Sequence, residues 1–323
     1  MTSGSSIGLG IIGVGTIGKL QIDLLSKPDA PDLRIVAAVS LCANPLNSNI
    51  VLFQEYGDLL MRDDIDAVTI NTPPASHYQI AVDALNAGKD VLVEKPPALN
   101  IRECREMIDF AEERQQVLFM AFHARYHSSV EAMRQQLGEE EITCLEITYR
   151  ENVMNYHNQS EWIFDPKIAG GGVLMDSGIN AISVVTSIFG DNFNYKVERA
   201  ALSYSIEQPV ETAADVEFTI GSRGRGRLKM NWLHDGPEHR MIEAATAGGH
   251  YYSLNLISDE LQKDGVVVKS GSKNQQDRVD QYSEYKSLYK DFVHHIKNRC
   301  SLTSKTEIAF IQKAYGIAKY SAR

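Results

Sequence analysis

The chain has 323 residues, 43% of them hydrophobic, which is enough apolar material for two buried cores. Its formal net charge of −10 argues against a nucleic-acid partner, because phosphate binding requires clustered Lys and Arg. No apolar stretch approaches the roughly 20 residues that span a bilayer, and the N-terminus does not resemble a secretory signal. We therefore expect a cytoplasmic protein that has neither a membrane nor a nucleic-acid partner.

Cysteine and histidine spacing bears on metal binding and redox compartment. The four cysteines are far apart and form no Cys-x-x-Cys pair or Cys/His cluster. His123 and His127 have the spacing of one helical face, but no nearby cysteine or acidic motif completes a set of ligands. The sequence therefore predicts free thiols in a reducing compartment and no metal.

The first predicted element is an apolar strand, Ile7 to Ile12, which leads through a glycine turn into a helix that ends near Leu25. The turn has the spacing of a dinucleotide site and comprises Gly13, Val14, Gly15, Thr16, Ile17 and Gly18. The first glycine permits the tight bend, the second lets backbone approach a pyrophosphate, and the third lets the helix pack closely. The helix N-terminus then faces an anion, so we predict that this turn binds the cofactor.

The second strand, Leu33 to Val39, ends at Ser40, the position expected to meet the adenosine ribose. A carboxylate there would bind a ribose 2′-hydroxyl and repel the 2′-phosphate of NADP. No Asp or Glu occurs between Asp32 and Glu55, and no Arg or Lys lies in 40–54 to hold a phosphate. The sequence therefore tolerates NADP or NAD and favours NADP or dual use.

Short apolar strands then alternate with helices to about residue 124, which indicates a doubly wound parallel sheet. The strands are Ala67 to Asn71, Asp90 to Val93 and Val117 to Ala121, and the helices are Ser76 to Ala87 and Ile101 to Arg114. Ligands bind at the carboxyl ends of such strands. The residues predicted to meet the cofactor there are Asn71, Thr72, Pro73, His77, Glu94 and Lys95.

Two of these loops have a second interpretation. Proline fixes φ and lacks an N–H, so Pro73 and Pro74 could merely shape their loop. A surface lysine is usually only solvated, but Lys95 follows a buried strand and precedes two prolines, so its position is fixed. Its pKa falls if it is desolvated.

Longer alternating strands begin at about residue 142 and predict a mostly antiparallel open sheet. They run over Ile142 to Glu151, Val197 to Ile206, Ala214 to Ile220, Gly226 to Leu233 and His239 to Ala247. A helix at Val173 to Phe189 interrupts them, and helices at about 282–299 and 306–321 end the chain. We predict a Rossmann domain of residues 1–124 and an α+β substrate domain of residues 125–323, with the C-terminal helix able to pack back on the first domain.

The helix that follows Gly170, Gly171 and Gly172 carries Asp176 and Asn180, which share one face a turn apart. Most of its other side chains are apolar, which predicts a buried helix with one polar pair. A buried polar pair needs partners, either within the protein or among the hydroxyls of a substrate.

In their order and spacing, the glycine turn, Thr72-Pro73 with His77, Glu94-Lys95-Pro96 and Asp176-x-x-x-Asn180 resemble the glucose-fructose oxidoreductase and inositol dehydrogenase (Gfo/Idh/MocA) family. The resemblance covers nearly the whole chain. Many members carry Asp-x-x-x-His, whereas asparagine at the last position resembles the bacterial aldose 1-dehydrogenase branch, which includes L-arabinose and D-galactose 1-dehydrogenases. Two further stretches resemble that branch, at 122–126 and at 150–153 with Tyr156, His157 and Trp162 shortly after.

The resemblance implies NAD or NADP in the first domain and a sugar covered by the sheet of the second. It implies a pocket lined by Lys95, His123, Glu151, Asp176 and Asn180, with Tyr156, His157 or Trp162 as further walls. His123 and Glu151 could instead be ordinary polar residues at strand ends, and Trp162 could simply pack in a core. An open sheet with an exposed face commonly finds a partner face, so we also expect a homo-oligomer.

The function that the resemblance implies is oxidation of an aldose at C1 to the aldonolactone, by hydride transfer to nicotinamide. Asp176 is the better proton acceptor if both it and Lys95 are charged, and Lys95 is the base if it is neutral. Asn180 completes the predicted catalytic set by holding a sugar hydroxyl. One alternative is a dehydrogenase of an inositol, a dihydrodiol or a keto sugar in the same family, and another is a non-catalytic NAD(P)-binding sensor.

Overall fold

A computed structural model describes residues 6–40, 50–157, 161–190, 193–271, 281–303 and 305–321, with side chains at all of these except 156, 157, 161 and 319–321. The chain divides into two compact units. The first unit comprises Met1–His123 and Gln281–Lys305, and the second comprises Ala124–Asp280 and Thr306–Arg323.

The first unit contains a six-stranded parallel sheet in the order β3-β2-β1-β4-β5-β6. Its strands are β1 (Ile7–Ile12), β2 (Leu33–Val39), β3 (Val51–Phe53), β4 (Ala67–Ile70), β5 (Asp90–Glu94) and β6 (Leu118–Ala121), and its helices include α1 (Thr16–Leu25), α2 (Tyr56–Leu60), α3 (His77–Asn86) and α4 (Ile101–Arg114). The central strands are apolar throughout because helices cover both faces of such a sheet. Strand order reverses between β1 and β4, which is where doubly wound sheets bind their ligands. The predicted Rossmann fold is confirmed.

The second unit contains an eight-stranded sheet in the order β14-β13-β12-β11-β7-β10-β9-β8. Its strands are β7 (Ile142–Arg150), β8 (Tyr195–Tyr204), β9 (Glu211–Ile220), β10 (Gly224–Asn231), β11 (His239–Thr246), β12 (Tyr251–Asn255), β13 (Glu260–Lys263) and β14 (Val266–Lys269). Neighbouring strands are antiparallel except β7 and β10, which are parallel. The mostly antiparallel sheet predicted for this region is therefore confirmed.

Helices complete both units. The second unit has α5 (Ser128–Leu137), α6 (Met154–His157), α7 (Pro166–Ala169) and α8 (Val173–Phe189), and short 3-10 turns lie at Pro74–Ser76, His123–Tyr126 and Glu161–Phe164. Two helices follow the second sheet in the chain: α9 (Gln281–Asn298) belongs to the first unit and α10 (Thr306–Ser321) to the second.

Burial alternates along the central strands of the second sheet. On β9, Val216 and Phe218 face the apolar core, while Asp215 and Glu217 point to the opposite face. Asp215 accepts two hydrogen bonds there from Arg227 of β10, at 2.8 and 2.6 Å. This face of the sheet therefore carries paired charges, as expected of a half-solvated antiparallel sheet.

The segment Pro166–Phe189 has the length and composition to cross a membrane. The expectation that no apolar stretch approaches this length was therefore wrong. The segment is apolar because it lies in the protein interior: 72% of its most apolar 18-residue stretch is buried in the fold. Its helix α8 packs against β7, β9, β10 and α10, so it is a core helix of the second unit.

Candidate active site

The glycine turn joins the end of β1 to the start of α1. Gly13 has φ of +97°, in the left-handed region, and a Cβ there would lie 2.9 Å from backbone atoms of Asn71 and Thr72. A Cβ at Gly18 would lie 2.3 Å from the carbonyl oxygen of Gly13. These two glycines are required by close backbone packing.

Gly15 differs from the other two glycines, because a Cβ there would meet no atom within 4 Å. It is the N-cap of α1, and no side chain caps that end of the helix. An open approach to backbone N–H groups at a helix N-terminus suits a phosphate group. The turn therefore fits the pyrophosphate of a dinucleotide, and Thr16 and Ile17 lie in the first turn of the same helix.

Asn71, which follows β4, is held by a side chain of α1. Its amide and that of Gln21 exchange two hydrogen bonds, with N to O distances of 3.1 and 2.7 Å. Thr69 donates from its hydroxyl at 3.4 Å to Gln21 and 3.3 Å to Asn71. Asn71 thus ties the loop after β4 to the helix that begins at the glycine turn.

His77 bridges the loop after β4 to the loop after β5. Its Nδ1 lies 2.8 Å from the carbonyl oxygen of Pro96, and its Nε2 lies 2.6 Å from that of Thr72. The ring is 1% exposed, and burial lowers its pKa, although both carbonyl contacts act in the opposite direction. His77 is therefore placed to align these two loops.

Lys95 is the accessible residue of its loop. Of residues 90–98, all described, Lys95 alone is not buried, and its peptide bond to Pro96 is cis. Its backbone N–H donates to Glu94 Oε2 at 3.3 Å. Burial raises the pKa of Glu94, whose Oε1 accepts a 2.7 Å hydrogen bond from the hydroxyl of Tyr285.

His123 follows β6 and is held by α9. Its Nδ1 lies 2.9 Å from Glu284 Oε2, and its ring stacks on that of Tyr285 with centroids 5.3 Å apart. Sequence reasoning did not identify Glu284 or Tyr285, because they lie about 160 residues further along the chain in a helix without a recognisable motif. The structure brings Glu94, His123, Glu284 and Tyr285 together within the first unit.

In the second unit, α8 presents the polar pair that the sequence predicted. Of residues 173–185, all described, Asp176 and Asn180 alone are not buried. The Oδ1 atom of Asn180 is nevertheless shielded from solvent and has no hydrogen-bond partner among the described residues. Such an acceptor can bind a hydroxyl group of a ligand.

The N-terminus of α8 is held by a distant glutamate that the sequence did not reveal. Glu211 Oε1 accepts hydrogen bonds from the N–H groups of Gly172 and Leu174, at 2.9 and 3.1 Å, and from the hydroxyl of Tyr315 at 2.6 Å. Burial raises the pKa of Glu211. A Cβ at Gly172 would lie 2.0 Å from the carbonyl oxygen of Glu211, which explains a glycine before this helix.

Glu151, at the end of β7, is buried in a polar network. It accepts hydrogen bonds from the hydroxyl of Ser177 and from Arg240, the latter at 2.6 Å. Trp232 Nε1 donates to the same serine hydroxyl at 2.8 Å. Because Ser177 follows Asp176 in α8, this network fixes the helix beside the polar pair.

The remaining predicted residues occupy varied surroundings. Trp162 is partly buried and packs against the apolar core of the second unit. Ser40 is half-buried at the end of β2, whereas the side chains of Tyr156 and His157 lie outside the described residues. Across the described part of the chain, no group of three or more His, Cys, Asp or Glu side chains could hold a metal.

Fold and site together define a nicotinamide-dependent oxidoreductase, and comparison with known proteins supports this. Residues 7–122 match the model of an oxidoreductase family with an NAD-binding Rossmann fold, and residues 133–251 match the Gfo/Idh/MocA C-terminal domain. The chain belongs to the Gfo/Idh/MocA oxidoreductase family, as its motifs predicted. Its first unit binds NAD or NADP.

Relatives extend over nearly the whole chain. Galactose 1-dehydrogenase of Pseudomonas fluorescens is 32% identical over 91% of this chain and 90% of its own. A crystal structure of D-galactose-1-dehydrogenase protein from Rhizobium etli has a TM-score of 0.84 and 27% identity, covering 98% of this chain and 96% of that one. Oxidoreductase P35 of Formosa agariphila is 26% identical over 80% of both chains. The relatives thus include the aldose 1-dehydrogenase branch that the sequence resembles.

Proposed function

We propose that this protein oxidises an aldose of the L-arabinose or D-galactose type at C1 to the aldonolactone, with NAD or NADP as the hydride acceptor. The observation that carries the proposal is the polar pair Asp176 and Asn180, the accessible residues in the otherwise buried stretch 173–185 of α8. Two relatives that resemble the chain over nine-tenths of its length are named galactose 1-dehydrogenases, which supports the same substrate class.

Oxidation at C1 removes a hydride from carbon and a proton from the C1 hydroxyl, and it leaves a carbonyl group. A nicotinamide dinucleotide bound in the first unit would supply the hydride acceptor. The proton goes to Asp176 if that carboxyl is ionised, or to Lys95 if that amine is neutral, so we propose these two as the catalytic residues. Either assignment needs one base and a well-oriented sugar.

The other polar residues hold the sugar. Asn180 offers its unpartnered Oδ1 to a hydroxyl donor, and His123 binds another hydroxyl through its imidazole. A wrong epimer would leave one of these groups unpaired, which is the physical origin of selectivity in such a site. We propose Glu151, Tyr156, His157 and Trp162 as further walls of the pocket, and a cytoplasmic location for the enzyme.

The test is to mix the purified chain with NAD⁺ or NADP⁺ and single sugars, and to follow the absorbance of reduced nicotinamide. The panel contains arabinose, galactose, xylose, glucose, fucose and inositol. Reduction with an aldose and formation of the lactone would support the proposal and establish the preferred cofactor. Reduction of the cofactor with inositol alone would indicate that the enzyme oxidises a secondary alcohol and not C1 of an aldose. Dinucleotide binding without any reduction of the cofactor would favour the non-catalytic NAD(P)-binding sensor.

A further inference from the structure

Two adjacent residues of α9, Glu284 and Tyr285, contact groups on which the proposed chemistry depends. Both are 1% exposed, and neither belongs to a motif recognised in the sequence. We propose that Glu284 and Tyr285 are positioning residues for sugar oxidation: Glu284 sets the orientation and tautomer of His123, and Tyr285 fixes Glu94 beside Lys95. This inference rests on the proposed function.

Glu284 determines which nitrogen of His123 carries a proton. Its Oε2 lies 2.9 Å from Nδ1, and a carboxylate oxygen accepts hydrogen bonds, so this contact favours the tautomer with the proton on Nδ1. No described residue forms a hydrogen bond with Nε2, and the His123 side chain is 11% exposed. With the proton on Nδ1, Nε2 is the ring atom left to accept a hydrogen bond from a sugar hydroxyl.

Tyr285 acts on the loop that carries Lys95. Its hydroxyl donates to Glu94 Oε1 at 2.7 Å, while Glu94 Oε2 accepts the backbone N–H of Lys95 at 3.3 Å. The same phenol ring lies nearly parallel to the His123 imidazole, with an interplanar angle of 16°. Without the hydroxyl of Tyr285, the buried carboxylate of Glu94 would shift towards another hydrogen-bond donor. That shift would also displace the backbone of Lys95, whose N–H is bonded to the same carboxylate.

Conservative variants separate these roles. Glu284→Gln and Tyr285→Phe keep the shape of each side chain, and Tyr289→Phe is the matched control. Tyr289 lies one turn further along α9 and is 0% exposed, and its hydroxyl, whose one side-chain neighbour of hydrogen-bonding type is Thr69, makes no hydrogen bond of regular length and angle among the described residues. Thermal unfolding of all three variants is followed by circular dichroism before their kinetics are measured.

We expect Glu284→Gln to raise the sugar KM by about 10-fold with a smaller change in kcat, because it disturbs a binding group. Tyr285→Phe should lower kcat by about 10-fold with little change in the sugar KM, because it displaces the loop of Lys95. Tyr289→Phe should stay within about twofold of the wild type, and the dinucleotide Kd should be unchanged in all three. Kinetics of Glu284→Gln and Tyr285→Phe that match those of Tyr289→Phe would overturn the proposal.

A double-mutant cycle tests whether Glu284 acts through His123. If it does, adding Glu284→Gln to His123→Gln costs nothing beyond the loss caused by His123→Gln alone. If the losses of activity caused by the two substitutions multiply in the double variant, Glu284 acts elsewhere than on His123, and its assigned role is overturned.

A spectroscopic measurement keeps this inference separate from the proposed function. In the full chain labelled with ¹⁵N-histidine, the His123 signals, assigned by their loss in His123→Gln, should report a proton on Nδ1. Glu284→Gln should shift them towards a mixture of tautomers. If no aldose is oxidised, the proposed function fails, but this spectrum still decides the role of Glu284, and unchanged signals would overturn it.

Discussion

At the scale of single residues, accessibility separates the side chains that we propose as reactive from their neighbours. Lys95 is accessible in a run of buried residues, and Asp176 and Asn180 are accessible in a buried stretch of helix. Burial elsewhere in each run limits rearrangement, so these side chains project from rigid backbone. A rigid backbone is what precise placement of a base or a hydrogen-bond acceptor requires.

Lys95→Ala should reduce turnover by on the order of 10²–10⁴-fold, because it removes one of the two residues proposed to handle the proton of the C1 hydroxyl. The dinucleotide Kd, measured by titration calorimetry, should change little. Lys196→Ala is the control, since that lysine side chain is 76% exposed on β8. Normal turnover in Lys95→Ala would remove the lysine from the mechanism.

Asn180→Ala should lower activity and raise stability. The wild-type amide leaves a shielded acceptor unpaired, and alanine favours a helix by about 0.6 kcal/mol over asparagine, so the melting temperature should rise by roughly 2 °C. The sugar KM should rise by about 10-fold, since one hydrogen bond is lost. Calorimetric melting and initial rates measure both effects, and a fall in melting temperature with an unchanged KM would show that Asn180 is structural.

At the scale of elements, α8 depends on a contact distant in sequence. Its first N–H groups are satisfied by Glu211 of β9, and Tyr315 of α10 donates to the same carboxyl. A helix N-terminus normally carries its own capping side chain, but here Gly172 occupies that position and has none. The helix that presents Asp176 is thus fixed by tertiary contacts.

Gly172→Ala should destabilise the protein by about 3 kcal/mol or more, because its Cβ would lie 2.0 Å from the carbonyl oxygen of Glu211. Gly57→Ala is the matched control, since a Cβ in that position of α2 meets nothing within 4 Å. It should be neutral or stabilising by up to about 1 kcal/mol. Urea unfolding of both variants measures the difference, and equal stabilities would contradict this account of Gly172.

At the scale of the whole molecule, the accessible face of the second sheet is the surface on which we expect association. It carries cross-strand charge pairs such as Arg227 with Asp215, and Met241 and Ala245 are half-buried on the same face of β11. Such a mixture of charged and apolar groups suits a symmetric interface between copies of one chain. We therefore propose a homo-oligomer that pairs through this face.

Light scattering should give a mass of at least twice the 35.9 kDa of one chain. Met241→Glu should lower that mass, because a charge placed at the centre of an interface is costly to bury. Arg102→Glu, on helix α4 of the first unit, where the side chain is 70% exposed, should leave the mass unchanged. A monomeric wild type would contradict the proposal, and an oligomer unaffected by Met241→Glu would place the interface elsewhere.

Several elements were predictable because their signals are local. The glycine turn was recognised by the spacing of its glycines, and α4 and α8 by the helical periodicity of their apolar residues. The bounds of α4 and α8 match the predicted ones. The short strands β3 and β12–β14 were missed, since they show too little alternation and, unlike β4 to β6, do not stand between segments predicted as helices. Helix α5 and the short helices α2, α6 and α7 were missed as well.

The sequence by itself determined the Rossmann fold, the antiparallel character of the second sheet, the family and the accessible polar pair of α8. These features depend on residue types at short, regular spacings, which can be recognised in the sequence without knowledge of the tertiary structure. Only the tertiary structure decided that Glu284 and Tyr285 hold His123 and Glu94, that Glu211 caps α8, and that Pro166–Phe189 is a buried core segment. Contacts between residues so distant in sequence depend on how whole elements pack, and no local pattern encodes that packing.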